Sequence, residues 1–405
     1  VPPELEKDVR LGSTVFVPFG RSKRSGYVVG FAERSERTDL KAVISVSGKV
    51  PLLTEEVLRL ARWVGEYYCA PVEHAVRTVL PSAVRRKGAR FKECLFVFAL
   101  PADSPAVPQG GGKVRKLSPA QTAALEMARA AGDGLALSDL ARRAGVGSAA
   151  IRGLERRGLV RIAPSTVGRN PMTGRVVLPT QPRTPTPEQA AALTLIKQSV
   201  DTRKPPVILL NGVTGSGKTE VYLQAIAHAL ALGKGAVVLV PEISLTPQTV
   251  ERFRGRFGDD IAVLHSQLSD GERHDEWHRI REGKARIVIG ARSAVFAPVR
   301  NLGLIVVDEE HDTSYKQDES PRYNARDVAV MRGQMENCSV LLGSATPSFE
   351  SYYNAHSGKY TMANLTVRVD NRKMPVIRVV DMRDQADSEG RRKVFSRDLV
   401  EAMRS

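Results

Sequence analysis

Over the first 50 residues, apolar and polar positions alternate in short runs. Residues 13–20 and 26–31 carry β-type patterning around the basic turn Arg21-Ser22-Lys23-Arg24, and residues 40–46 predict a third strand. The period then lengthens. Val57, Leu60, Ala61 and Val64 fall at helical spacing within residues 55–68. Pro101, Pro105, Pro108 and the glycines at 110–112 predict a linker over residues 101–115. Next, Ser118-Pro119 starts a helix, with serine as cap and proline at the first helical position. A second helix spans 137–145 and closes at Gly145, a third spans 147–158, and a strand begins at Leu159. Helix, glycine turn, basic helix and strand predict a winged helix. After a Pro- and Thr-rich linker at 180–187, apolar runs at 207–210, 237–240, 304–307 and 338–341 alternate with helical stretches. That pattern predicts an α/β unit with a parallel sheet.

Composition narrows the class. The 405 residues are 42% hydrophobic and 26% charged, which excludes a disordered or fibrous chain. No apolar run approaches the roughly 18 residues of a membrane span. There is no signal-peptide core, so the cytoplasm is the expected location. Lys and Arg number 60 against 44 Asp and Glu, a net charge of +16. Up to residue 180 the counts are 29 and 16; beyond it they are 31 and 28. A polyanion is therefore expected on the first half. Cys69, Cys94 and Cys338 are far apart and form no CxxC pair, so neither a zinc ribbon nor a disulfide framework is predicted. His274 and His278 stand four apart, but Asp275 follows the first histidine where a zinc protease helix needs glutamate.

The sharpest chemistry lies at Gly212-Val213-Thr214-Gly215-Ser216-Gly217-Lys218-Thr219, a full GxxxxGK[ST] phosphate loop between a buried-strand run and a helix. Its glycines let backbone amides approach phosphate oxygens, and the helix start adds positive potential. Lys218 would reach the β- and γ-phosphates of ATP, and Thr219 would ligate Mg²⁺. About 90 residues on, an apolar run ends in Asp308-Glu309-Glu310-His311. Asp308 would hold the Mg²⁺ shell, Glu309 would orient or deprotonate the attacking water, and His311 would sense the γ-phosphate. Ser344-Ala345-Thr346 follows another strand run and, downstream of these acids, resembles the coupling motif of superfamily 2 helicases. Gln189, 23 residues before the loop, resembles the adenine-reading glutamine of such helicases, or else is a helix-surface residue.

Together with Pro241-Glu242-Ile243-Ser244-Leu245-Thr246-Pro247-Gln248, Gly290-Ala291-Arg292-Ser293-Ala294 and Pro321-Arg322-Tyr323-Asn324-Ala325-Arg326-Asp327, these motifs resemble the PriA (primosomal protein N′) family of bacterial replication-restart helicases. The likeness covers essentially the whole chain. It implies a multidomain α/β fold: a small β-rich DNA-binding domain (1–104), a winged helix (116–178), a RecA-like helicase lobe with a parallel sheet (184–365) and a run-in to a second lobe (366–405). It implies an ATP-dependent 3′-to-5′ DNA helicase that recognises stalled or branched forks, binds forked and single-stranded DNA, and works with primosome proteins and single-strand DNA-binding protein. Ser293 falls in a strand-tracking motif of phosphate contacts. Tyr315, Lys316, Arg322, Tyr323 and Arg326 fall in the family's aromatic-rich loop, where rings stack on bases and cations hold phosphates, unless the loop only packs on its own lobe. Gly20 and Lys41 match positions of a pocket for a DNA 3′ end; Lys41 otherwise reads as a solvated strand-edge lysine. The Phe-Asp-Tyr segment that helps to form this pocket in the family would lie before Val1. Arg152 and Arg156 share one helix face and serve either DNA or a protein-interaction wedge.

The chain reads as part of a longer one at both ends. The family's second lobe, with its γ-phosphate arginines, and its cysteine-rich double zinc site are expected beyond residue 405. This polypeptide alone is therefore expected to bind ATP weakly, to bind DNA and to unwind little. The competing reading is a non-motor fork-binding primosome scaffold. A winged-helix transcription regulator with a fused ATPase fits the motif order less well.

Overall fold

The computed structural model describes residues 1–48, 51–85, 92–101, 116–132, 134–167, 177–369, 377–384 and 394–404. Strand Thr14–Phe19 pairs antiparallel with Ser22–Tyr27 and with Ser45–Ser47. The hairpin is tighter than the apolar pattern predicts. Phe19 pairs with Ser22, so Gly20 and Arg21 alone make the turn, and Gly20 takes a left-handed φ of +58°. Arg21 therefore sits in the turn, and Lys23 and Arg24 lie on the returning strand. Of the third predicted strand, only its end pairs.

Helices Glu55–Tyr67 and Val72–Val79 then pack onto the helicase-like unit rather than onto this small sheet. Leu53, Leu60, Val64, Val76 and Leu80 share a continuous core with Trp277, Ile280, Val328 and the strand residues Ile305 and Val307. The three helices expected between residues 118 and 158 are present as Pro119–Ala130, Leu137–Ala144 and Ser148–Arg156, over a three-stranded sheet. Ser118 caps the first helix in a reciprocal box with Gln121, and Gly145 ends the second at φ +63°. The middle strand of this sheet is Lys92–Ala99, paired with Val160–Val167 over eight residues. The 1–104 boundary therefore shifts. The predicted linker lies, from residue 102 to 115, outside the described residues, and this strand pairs with Val160–Val167 beyond it, because Val97 buries into the core of Leu125, Leu140, Ile151 and Leu154.

Residues 187–365 form a seven-stranded sheet with every pairing parallel. Its spatial order is Thr361–Leu365, Val207–Gly212, Ser339–Ser344, Leu302–Val307, Gly235–Leu239, Ile287–Gly290, Ile261–Leu264. Alternate residues of each strand serve opposite cores. Leu209, Val237, Val307 and Leu342 face one; Ile208, Val238, Val306 and Leu341 face the other. Burial on both faces explains why these strands read as unbroken apolar runs. Their carboxyl ends share one edge of the sheet, and the chemistry-bearing residues follow directly from them.

Candidate functional site

The phosphate loop leaves strand Val207–Gly212 and enters helix Lys218–Ala231. Gly215 and Gly217 adopt φ of +83° and +81°, which turns successive backbone N–H groups into one concavity. A β-carbon at Gly212 would stand 2.8 Å from Ser216 Oγ, so glycine is needed for the loop to close. Ser216 Oγ is buried without a hydrogen-bond partner, an orphan that a phosphate oxygen would satisfy. Lys218 Nζ donates to the Gly212 carbonyl (2.9 Å) and stands 3.7 Å from Glu309 Oε1. Gln189 is buried. Its amide nitrogen donates to the Ser216 carbonyl (2.8 Å), while its oxygen accepts from the Thr186 amide in a capping box. The residue expected to read adenine thus braces the loop.

Two strands away, Asp308 and Glu309 follow Leu302–Val307. Tyr222, from the helix after the phosphate loop, donates to Asp308 Oδ1 (2.9 Å). Burial raises the Asp308 carboxyl above its ordinary range against that hydrogen bond, and burial next to Asp308 also raises the Tyr222 phenol. Tyr222 fits because residue 343 is glycine: a β-carbon there would meet its Oη at 1.8 Å. Glu309 adopts φ +43°, an uncommon conformation for a side-chain-bearing residue, and its carboxylate is half-exposed beside Lys218 and His311. His311 Nδ1 lies 2.8 Å from Ser344 Oγ and its Nε2 3.5 Å from Thr346 Oγ1. The strand between the phosphate loop and the carboxylates is therefore wired to the carboxylate segment through this histidine.

Glu310, which sequence reasoning left without a role, is an internal hub. Its fully buried carboxylate accepts from the Ser348 amide (2.7 Å), Ser348 Oγ, Ser351 Oγ and Arg326 Nη1 (3.3 Å). Arg326, expected to hold DNA phosphate, is spent on this pair, on Ser348 Oγ and on Asp327. Tyr315 and Tyr323 are fully buried as well. Tyr315 donates to the Asp308 carbonyl (2.6 Å), and Tyr323 meets the Phe296 ring edge-on at 5.1 Å. Neither ring presents a face to a base in this conformation, because the loop folds back over an apolar wall. Lys316 donates to the Arg322 carbonyl and lies 5.4 Å from the Tyr68 ring, while Arg322 is exposed. Ser293 is exposed too. Neither tyrosine could be told from a stacking residue by sequence, since aromatic residues serve cores and bases alike.

Ser293 and Lys316 line a cleft of about 890 Å³ between the helicase-like unit and the helices at 72–85, shared with Arg77, Arg85, Arg273 and Arg292. The two N-terminal arginines had no sequence motif to mark them. Elsewhere, Gly20 and Lys41 are exposed on the small β-domain, Lys41 in a segment without regular structure. Arg152 and Arg156 are exposed on the third helix of the winged helix, opposite buried Ile151 and Leu154. His274 and His278 sit on helix Asp270–Arg281 with rings 4.4 Å apart, and no metal-binding cluster occurs among the described residues. No described helix is long and apolar enough to cross a membrane.

Residues 186–355 match the DEAD/DEAH box helicase family, and residues 1–81 match the 3′DNA-binding domain family. Replication restart protein PriA of Bacillus subtilis is 37% identical over 465 residues, covering 100% of this chain and 58% of that protein. Its namesake from Chlamydia pneumoniae is 37% identical over 399 residues, covering 98% of this chain and 53% of the relative. A structure of RecG bound to a three-way DNA junction aligns with a TM-score of 0.35 at 25% identity, over 48% of this chain and 25% of that one. The chain thus spans little more than half the length of its curated relatives. With a 3′ DNA-binding domain followed by a nucleotide-binding helicase fold, the chain is a homologue, over its whole length, of the N-terminal part of replication restart protein PriA.

Proposed function

We propose that this chain is the fork-recognising portion and first motor lobe of an ATP-dependent 3′-to-5′ DNA helicase of replication restart. The observation that carries this reading is the convergence of Lys218, Glu309, His311 and Ser344 at one sheet edge, next to a concave phosphate loop with an orphaned hydroxyl. In this reading Lys218 binds the β- and γ-phosphates, Gln189 reads adenine and Glu309 orients water, in line with nucleotide hydrolysis generally. Thr219 and Asp308 would hold Mg²⁺, which neutralises phosphate charge when bound. Single-stranded DNA runs through the basic cleft, while the small β-domain and the winged helix contact the fork. Primosome proteins and single-strand DNA-binding protein are the partners.

The described residues supply one wall of the nucleotide pocket. Arginines that stabilise transferring phosphate are typically worth roughly 10³–10⁵ in rate. Where a second lobe supplies them, this 405-residue polypeptide alone hydrolyses ATP slowly. The test is ATP turnover with and without forked DNA beside Lys218→Ala, together with binding of a fork and of a plain duplex. Preference for the fork, with slow turnover lost in the variant, supports the proposal. Equal binding to both DNAs, with no nucleotide binding, overturns it. Fork preference with nucleotide binding unaffected by Lys218→Ala points instead to the scaffold reading.

A further inference from the structure

The last strand of the sheet, Thr361–Leu365, hands the chain back across the phosphate loop. Glu188 accepts from the Thr366 and Val367 amides (2.7 and 3.3 Å) and from the Thr366 hydroxyl (2.5 Å). Val213 N–H donates to the Leu365 carbonyl (3.0 Å), and Val369 N–H donates to the Gly215 carbonyl (3.1 Å). Residues 365–369 are therefore pinned at both ends of the loop. Between the pins, Arg368 lays its stem over the loop apex. Its Cγ, Cδ and Nε stand 3.7 to 3.9 Å from where a Gly215 β-carbon would be. Val369 takes the corresponding place over Gly217, at 3.0 Å. Arg368 Nε is shielded from solvent and has no hydrogen-bond partner among the described residues.

A guanidinium stays charged at any physiological pH, presents five donors in a flat fork and suits two phosphate oxygens at once. A shielded donor without an acceptor is uncommon in folded proteins, and a bound anion beside it would satisfy it. The loop below it offers amides of the same polarity, so the acceptor that suits both is an anion. We propose that Arg368 is a nucleotide-contacting residue that closes the phosphate loop from above and pairs with the polyphosphate of the bound nucleotide. The proposal rests on the nucleotide site described above and adds to it a residue outside every recognised motif. It also gives Gly215 a second reason to be glycine: besides its positive φ, a side chain there would displace the arginine stem.

The test is fluorescence-anisotropy titration of the 405-residue chain with labelled ADP and labelled AMP, using wild type, Arg368→Ala, Arg368→Lys and Lys218→Ala. Charge-assisted hydrogen bonds of this kind correspond to roughly a ten- to a hundredfold change in affinity. Arg368→Ala should lose that much for ADP and clearly less for AMP, and the loss should shrink with added salt. Arg368→Lys should recover part of it, and it keeps the test decisive should the alanine variant fold poorly. The melting temperature without nucleotide should match wild type, while the shift on adding ADP should diminish. If wild type and Arg368→Ala bind ADP alike, and Lys218→Ala does not, the nucleotide site stands and the role of Arg368 falls. Equal losses for ADP and AMP overturn the assignment to polyphosphate. If wild type itself does not bind ADP, the nucleotide site falls and the role of Arg368 with it.

Discussion

Glu309 and Glu310 are neighbours in sequence, yet the structure predicts opposite consequences for changing them. The Glu310 side chain is 0% exposed and its partner Arg326 is 11% exposed. The carboxylate accepts from Ser348, Ser351 and Arg326, and so ties the starts of helices Phe349–His356 and Ala325–Met335 to the carboxylate segment. Glu310→Ala takes from the largely buried Arg326 guanidinium its one fully buried carboxylate, leaving Ser348 Oγ and the more exposed Asp327, and removes the acceptor of a helix-start amide. Breaking one side of such a pair costs about 3–5 kcal/mol. For a unit of this size, 1 kcal/mol shifts the melting temperature by roughly 2–4 °C, so a drop on the order of 6–20 °C is expected. Arg326→Ala should act in the same direction, and the double variant should lose less than the sum, since both changes remove one interaction. Glu309→Gln alters a half-exposed group held only by ion pairs at 3.7 Å, so the expected stability change is within about 0.5 kcal/mol. Its effect should fall on ATP turnover instead. The assay is thermal unfolding followed by circular dichroism on all four variants. A Glu310→Ala drop below about 2 °C, or an equal drop for Glu309→Gln, would refute the division of labour.

Gly343→Ala should destabilise by about 1–3 kcal/mol, because its β-carbon overlaps Tyr222 Oη, and adding Tyr222→Phe should recover part of that loss in the same melts. His278 offers a pH test. Burial, reinforced by His274, holds its imidazole down at about 4 against 6.5. The folded value lies below the unfolded one, so the unfolded chain takes up the proton first, and stability is lost as pH falls from 6.5 towards 4. The urea midpoint should therefore fall between pH 7.5 and pH 5 in wild type, and fall less in His278→Gln; identical slopes would discard this account. Arg77→Ala, on the cleft wall contributed by helix Val72–Val79, should weaken single-stranded DNA and flatten the log–log salt dependence by about 0.7 for the one charge removed. An unchanged slope would take this wall out of the DNA path.

The signals legible in the chain alone were those with short-range causes. The phosphate loop, the acids after the apolar run at 304–307 and the glycine that closes the helix at 137–145 all follow from backbone geometry within a few residues. The serine cap at Ser118 does so as well. Unbroken apolar runs likewise announced strands buried on both faces. What needed the tertiary structure was everything set by pairing across long stretches of chain. Strand Lys92–Ala99 joins a sheet on the far side of a proline-rich linker because its partner at Val160–Val167 and the core under Val97 lie there. Tyr315, Tyr323 and Arg326, which the family resemblance marks as nucleic-acid ligands, turn inward because an apolar wall and the Glu310 carboxylate take them first. Arg368 lies 153 residues after Gly215 and carries no motif, and only the parallel pairing of Thr361–Leu365 with Val207–Gly212 brings it over the loop. Periodicity and turn chemistry act within a turn or two of chain, whereas burial and partner choice are decided by which surfaces meet once the sheet has assembled.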